Sequence, residues 1–354
     1  MKIGIIASAR HAIREPFAGG LEMHTHALAS SLKARGHRVT VFASGTSDPE
    51  LGLEPVCELH RNVHFSEGAL NDESALAKGF LEEHHAYLNL MLRLNEFGFD
   101  VIHNNCLHYL PIAMAEFLDS PQVTSLHTPP TPWLESALTT GRRPINSVFA
   151  AVSRHTAESW SHAVNVQKVI HNGVDLNGWT FHPERSSNTA VWFGRIRPEK
   201  GPHLALDAAH LANRPLVMAG PIDDSEYFAN EIQPRLEKND SYVGHIDHVQ
   251  LDKLVGSAAV SLSTPCWEEP FGLVVAESLA CGTPVAAFRR GAMAELIEDS
   301  VGALAEEQTA ESLANAIEKA ARCTRSQCRR RVERHFSLPV MVDRYEELYM
   351  EMAA

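Results

Sequence analysis

The chain has 354 residues, of which 44% are hydrophobic and 21% charged, and a formal net charge of −13. That length exceeds what one hydrophobic core usually holds, so two domains are expected. The acidic balance argues against nucleic acid or anionic lipid as a partner, and no apolar run reaches the roughly 18 residues of a membrane span.

The first residues, MKIGIIASAR, read as a strand. The apolar run is too short for a signal-peptide core and no small-residue cleavage site follows it. Short apolar runs with turn signals then recur, giving strands at Ile3–Ala7, Val39–Ala43, Val101–His103, Val123–Leu126, Phe149–Val152 and Val169–His171. A second series follows at Ala190–Phe193, Leu216–Ala219, Tyr242–Val243, Val260–Leu262 and Val285–Phe288. Amphipathic segments lie between the strands. Glu22–Arg35 sets Leu28, Ala29 and Leu32 on one face and stops at Gly36. Leu338–Met352 has Val342, Tyr345, Leu348 and Tyr349 at helical spacing. The alternation predicts an α/β protein with two parallel sheets, each flanked by helices. The boundary falls in the loop-like stretch Leu176–Asn188. The arginine run RCTRSQCRRRVERH reads as a solvated helix face.

Cys57, Cys106, Cys266, Cys281, Cys323 and Cys328 are scattered without a C-x-x-C pair, so reduced thiols and a cytoplasmic location are expected. Among 20 histidines, His24 with His26 and His84 with His85 are close in sequence, but no metal-ligand pattern forms and no metal is expected.

Four segments carry chemistry. FGRIRPEKG places Arg195 and Lys200 after the first strand of the second half, at the edge where parallel sheets bind ligands. Two cations suit a diphosphate, although alone the segment fits an ordinary surface loop equally well. In STPCWEEPFGLVVAESLACGTPVAAF, Glu269 precedes a helix that starts near Leu273, and Glu277 lies about a turn inside it. Both carboxylates can accept from hydroxyls of one ligand, and the amides of Phe271, Gly272 and Leu273 can face an anion. A capped helix with acidic residues is the plainer reading, but it leaves Glu277 on a buried-type helix unexplained. Gly19-Gly20 opens the first long helix after a long loop. There, glycine permits positive φ and a close approach to phosphate. No G-x-G-x-x-G is present, which speaks against a nicotinamide-dependent dehydrogenase. His127 ends a strand. Isolated, it reads as a hydrogen-bonded histidine; its place on the ligand edge favours a site role.

Together these segments resemble glycosyltransferase family 4, over nearly the whole chain. Glu269 and Glu277 match the family's E-x7-E element, ACGTPVAA its A-x-G-x-P-V-V-A, Arg195 and Lys200 its GRxxxxKG, and Gly19-Gly20 its glycine pair. The segment Asn172-Gly173-Val174-Asp175 is similar to the family's sequence at the end of the first domain. One departure is RGAMAEL, which keeps Gly291 and Glu295 but has Ala294 where proline is common. The resemblance implies the GT-B fold, with two Rossmann-like domains whose parallel sheets face a central cleft. Residues 1–180 would form an acceptor domain, 181–335 a nucleotide-sugar donor domain, and 336–354 a helix packing back on the first.

The resemblance also implies residue roles. Glu277 would hold the ribose hydroxyls, and Arg195 and Lys200 the diphosphate. Glu269 with the amides of Phe271, Gly272 and Leu273 would hold the donor sugar and phosphate. Gly20 would close over the diphosphate, and His127 would contact the sugar near the reacting carbon. The implied activity is metal-independent, retaining transfer of a hexose from a UDP-sugar (UDP-glucose or UDP-GlcNAc) without a cofactor.

The acidic stretches SDPELGLEPVCELH and NDESALAKGFLEEHH favour a soluble small-molecule or glycan acceptor and no stable membrane anchor. HNNCLHYLP with LHTPPTP is similar to members acting on small soluble acceptors such as pterins. Asn104, Asn105 and His108 either line an acceptor pocket or form a structural turn. A nucleotide-sugar binding protein or a sugar-nucleotide epimerase on the same fold is the alternative.

Overall fold

The computed structural model describes residues 1–53, 66–70, 77–139, 146–184 and 186–354. Cys57 and parts of the two acidic stretches read as favouring a soluble acceptor, residues 54–60 and 71–76, lie outside the described residues. The chain divides into two compact units. One comprises Met1–Val152, Thr156–Ile170 and Val342–Ala354; the other comprises Ser153–His155 and His171–Met341.

The first unit holds a six-stranded parallel sheet: β1 (Lys2–Ile6), β2 (Arg38–Phe42), β3 (Val101–Asn104), β4 (Gln122–Leu126), β5 (Ser147–Ala151) and β6 (Val166–Val169), in the order β2-β1-β3-β4-β5-β6. β1 pairs with both β2 and β3, so the order of strand addition reverses there. Loops leaving the carboxyl ends of β1 and β3 diverge at such a point and open a crevice. The helix Gly20–Ala34 lies between β1 and β2, with Leu28, Ala29 and Leu32 fully buried, the face expected from their spacing. β6 sits earlier than the expected Val169–His171, and its pairing with β5 shifts register between Phe149 and Ala150.

The helix Leu338–Ala353 contributes Val342–Ala354 to this unit. Its tyrosines are buried and polar at the tip, so each needs a partner. Tyr349 donates to His103 Nδ1 at 2.5 Å, His103 Nε2 donates to Ser125 Oγ at 2.8 Å, and Ser125 Oγ meets Tyr345 OH at 2.8 Å. Burial pushes His103 down to about 3, so its ring is neutral and can accept at one nitrogen while donating at the other. At the rim, Arg35 pairs with Asp343 at 2.6 Å and His37 with Glu346 at 2.7 Å.

The second unit holds β7 (Ala190–Phe193), β8 (Leu216–Ala219), β9 (Ser241–Tyr242), β10 (Val260–Ser263), β11 (Val285–Phe288) and β12 (Gly302–Ala305), in the order β12-β11-β10-β7-β8-β9. This is the doubly wound order, with its reversal between β7 and β10. β12 escapes a reading of apolar runs because GALA is short and made mostly of small residues.

The arginine run forms the helix Arg325–His335, and the solvated-face reading is wrong for three of its members. Arg325 donates to the carbonyls of His182, Gly256, Ala258 and Cys281 and to Thr283 Oγ1. Arg329 donates to the carbonyls of Trp179 and Ala280, and Arg331 to those of Glu295 and Leu296. Guanidinium groups supply several fixed donors, so one side chain can satisfy carbonyls from several chain ends at once.

Tyr349→Phe leaves His103 Nδ1 buried without its donor. The expected loss is about 1–3 kcal/mol, or a fall of a few degrees in the unfolding midpoint of the first unit. Thermal unfolding measures it, and an unchanged midpoint would mean that the buried chain of hydrogen bonds does not hold the terminal helix.

Candidate active site

In the second unit the loops after β7 and β10 flank the reversal of strand order. They are joined backbone to backbone. Cys266 N donates to Glu199 O at 2.8 Å, and Thr264 Oγ1 donates to Lys200 O at 2.9 Å. Gly201 adopts φ +60°, and a Cβ there would stand 2.3 Å from Thr264 O. Only glycine meets both demands. The loop after β11 closes on the same segment: Gly291, at φ +56°, would place a Cβ 2.1 Å from Glu269 O.

This packing brings Lys200 and Glu269 together. Lys200 Nζ lies 2.6 Å from Glu269 Oε2, with both side chains largely covered. Trp267 Nε1 donates to the same oxygen at 2.9 Å, and the ammonium stands 5.0 Å from the Trp267 ring centroid. Arg195 lies on the same β7 loop, half exposed, with its Nη1 3.8 Å from Asp223 Oδ2. Arg197 takes Asp223 more closely, at 3.1 Å. Arg195 is therefore only loosely held, whereas Lys200 already has a carboxylate.

Leu273–Ala280 is the expected helix. Val275, Ala276 and Leu279 are buried, and Ser278 Oγ donates to Ser261 Oγ on β10 at 2.8 Å, which fixes the helix against the sheet. The amides of Phe271, Gly272 and Leu273 have no protein acceptor among the described residues. Glu277 is buried in this helix, and no side-chain hydrogen bond or ion pair of it occurs among the described residues. Desolvation alone pushes its carboxyl up to about 7. A buried carboxyl without a protein partner is costly unless a ligand supplies donors.

Neighbouring charges hold the frame. Glu268 Oε2 accepts from Gly291 N at 2.8 Å, and Glu268 Oε1 pairs with Arg290 at 3.0 Å. Glu295, the family-matching carboxylate, accepts from the amides of Arg154 and His155 at 2.8 Å each and pairs with His171 at 3.1 Å. Its carboxyl is lowered against the opposing effect of burial, through His171 and these two amides. Glu295 thus fixes its own chain, and Ala294 beside it is exposed. Trp267, Glu268, Arg290 and Asp223 were not singled out from the sequence. The signal for the first three was present as charged and aromatic residues in loops leaving strand ends.

In the first unit, His127 follows β4. It lies 2.7 Å from Asn105 Oδ1 through Nε2, which must then carry the proton. Asn105 Nδ2 reaches Thr25 Oγ1 at 3.4 Å, and the His24 and His127 rings are 4.8 Å apart. His127 is thereby set against the first turns of the helix that Gly19-Gly20 opens. Burial, aided by His24 and His103, pushes its imidazole well below 6.5, so it is neutral at pH 7. The expected positive φ at the glycine pair is not found: Gly19 is extended at φ −172° and Gly20 is the first helical residue. Any backbone can adopt these conformations, so the pair's remaining distinction is its lack of side chains. Asn104 Oδ1 accepts from Cys106 N and His108 Nδ1 from Leu110 N, each at 3.2 Å, so both form local turns.

The raised Glu277 carboxyl has a consequence for stability. Its folded value of about 7 exceeds the ordinary 4.5 of a solvated carboxyl, so the folded state binds more protons than the unfolded state between these values. Stability is highest below about 4.5 on this account and falls as pH rises towards and past 7, by an amount on the order of 3 kcal/mol at most. Glu277→Gln removes this dependence, so unliganded Glu277→Gln gains in midpoint over wild type from pH 5 to pH 8. Parallel midpoint curves in thermal unfolding would contradict the assignment.

Comparisons with known proteins bear on both units. Residues 18–177 match the family described as Glycosyltransferase Family 4, and residues 180–335 match Glycosyl transferases group 1. A glycogen synthase of Mycobacterium tuberculosis is 28% identical over 325 residues, covering 79% of this chain and 76% of the relative. A D-inositol 3-phosphate glycosyltransferase of Arthrobacter is 26% identical, covering 85% and 81%. Among solved structures, Anabaena HepE in complex with UDP superposes with a TM-score of 0.74 at 21% identity, covering 99% of this chain and all of that one. A glycosyltransferase involved in avilamycin A biosynthesis gives 0.71 at 22%, covering 100% and 98%. The two parallel sheets are thus those of the GT-B fold, and the chain is a glycosyltransferase belonging to the family 4 type.

Proposed function

We propose that the enzyme transfers a hexose from a nucleoside-diphosphate sugar to a hydroxyl of an acceptor, with retention at the anomeric carbon and without a metal or cofactor. UDP-glucose or UDP-GlcNAc is the proposed donor. The carrying observation is the reversal point of the second sheet, which gathers Arg195, Lys200, Glu269, unpartnered helix amides and the partnerless Glu277. Anabaena HepE has been solved in complex with UDP and with UDP-glucose, which fits this reading.

Each residue has a physical task. Glu277 accepts from ribose hydroxyls, which relieves its burial. Cleavage of the glycosyl–phosphate bond places negative charge on the leaving diphosphate. Arg195, Lys200 and the amides of Phe271, Gly272 and Leu273 stabilise that charge as it forms. Lys200 exchanges Glu269 for phosphate, which frees Glu269 to accept from the donor sugar. His127, neutral at pH 7, is suited to hydrogen bonding rather than to general acid catalysis. No residue is assigned as a covalent nucleophile, and front-side attack assisted by the leaving phosphate needs none. The protein is placed in the cytoplasm, with a soluble acceptor bound by the first unit.

The test is nucleotide release from UDP-, GDP- and ADP-sugars, with proton NMR of the linkage formed. One donor should be turned over in EDTA with the α-configuration kept. Lys200→Ala and Arg195→Ala should each lower kcat by roughly 10²–10³. An inverted product, a requirement for metal, or an altered nucleotide sugar formed without acceptor would overturn the proposal.

A further inference from the structure

The crevice of the first unit contains a ring assembly around His108. Phe80 lies 6.3 Å from His84 and Tyr87 4.6 Å from His108, centroid to centroid and near parallel, while His84, Tyr109 and His108 form a triangle with centroids 6.0, 5.0 and 6.1 Å apart. Trp133 stands across it, at 65° to Phe80, 71° to Tyr109 and 87° to His108, with centroids 4.5–5.3 Å away. The base is buried and fixed: Tyr87 OH donates to Ala7 O and accepts from Ala9 N, both at 2.9 Å, just past the end of β1. The upper rings, Phe80, His84, Tyr109 and Trp133, are half-buried. At the rim, Arg10 Nε lies 2.9 and 3.1 Å from the two oxygens of Glu83; Arg10 is exposed.

We infer that this assembly is the acceptor platform, and that it takes an uncharged pyranoside, which lays its C–H face on Trp133 and offers its hydroxyls to the Arg10–Glu83 pair. The inference rests on the transferase reading and names its acceptor class. Three observations carry it. The platform lies where the loops after β1 and β3 diverge, the ligand edge of such a sheet. Aromatic faces carry negative potential and so attract polarised C–H bonds, which a pyranose presents on one face and a phosphate does not. The rim pair brings carboxylate acceptors and guanidinium donors with no net charge, the combination vicinal hydroxyls need.

Charge decides against a phosphorylated acceptor at this place. Burial lowers His84 and takes His108 to about 3, so both rings are neutral at pH 7. Arg10 is already paired, so among the described residues the platform shows no uncompensated cation. A planar aromatic acceptor is also disfavoured, because Trp133 meets its neighbours edge to face and forms no parallel slot.

The test is saturation-transfer NMR on the whole protein with methyl β-D-glucopyranoside and maltose, set against glucose 6-phosphate and pterin. Ring-face protons of the neutral glycosides should saturate most strongly. Their Kd should rise at least 10-fold in Trp133→Leu and in the surface variant Arg10→Ala, and about 2- to 3-fold in Trp133→Phe. Leu92→Ser, exposed on the same Lys78–Arg93 helix, should bind as wild type does. Equal binding in Arg10→Ala and Trp133→Phe compared with wild type would overturn the inference. So would glucose 6-phosphate or pterin binding 10-fold tighter than the glycosides. Nucleotide release from a donor is read separately: its absence with glycoside binding intact would refute the transferase reading and leave a carbohydrate-binding platform.

Discussion

The approach of Gly201 to the Thr264 carbonyl governs the candidate site of the second unit. A side chain cannot fit there, and the backbone conformation excludes most residues as well. Because this contact joins the β7 and β10 loops, Lys200 faces Glu269 across the reversal of the sheet. Gly291 repeats the arrangement with the β11 loop. The charges at the site are thus placed by close-packed backbone and not by flexible surface loops. Electrostatic stabilisation needs this preorganisation, since groups that must reorient during the reaction lose much of their effect.

The charges in this half are arranged to be exchanged. Lys200 is neutralised by Glu269 and steadied by Trp267, while Arg195 is held only at 3.8 Å. Glu277 is the opposite case: buried, without a side-chain partner among the described residues, and raised to about 7. A ligand bearing both a diphosphate and vicinal hydroxyls would relieve both conditions at once, whereas an inorganic anion would address only the first. In the first unit the balance differs. Its crevice is lined by neutral histidines and aromatic rings, and Arg10 at its rim is already paired. The two units therefore present different chemistry on related sheets.

Much of this was legible in the sequence. Among the described residues eleven of the twelve strands overlap an expected apolar run, β6 and β9 by one residue each, because strands of parallel sheets are largely buried on both faces. The missing one, Gly302–Ala305, is built mostly of small residues. Glu277 was legible as a charge on an otherwise apolar helix. Contacts that depend on folding were not. Arg325, Arg329 and Arg331 look like a solvated charge run because the carbonyls they satisfy come from distant segments. Glu295 matches a donor-site motif by position, yet its oxygens serve Arg154, His155 and His171. Gly19-Gly20 suggested positive φ, which depends on the turn and not on composition. The platform was hidden because the Phe80–His84 turn, Tyr109 and Trp133 come from three separate segments and share no motif.

On the proposed function, the second unit recognises a nucleoside diphosphate through both its charge and its ribose. Isothermal titration with UDP, UMP and uridine measures both contributions. Binding should weaken by about 10-fold or more for each phosphate removed, each step being worth about 1.4 kcal/mol or more. Lys200→Ala should abolish the difference between UDP and UMP, and Glu277→Ala should weaken all three ligands. Equal affinities for the three, or binding of UDP indifferent to both substitutions, would contradict it.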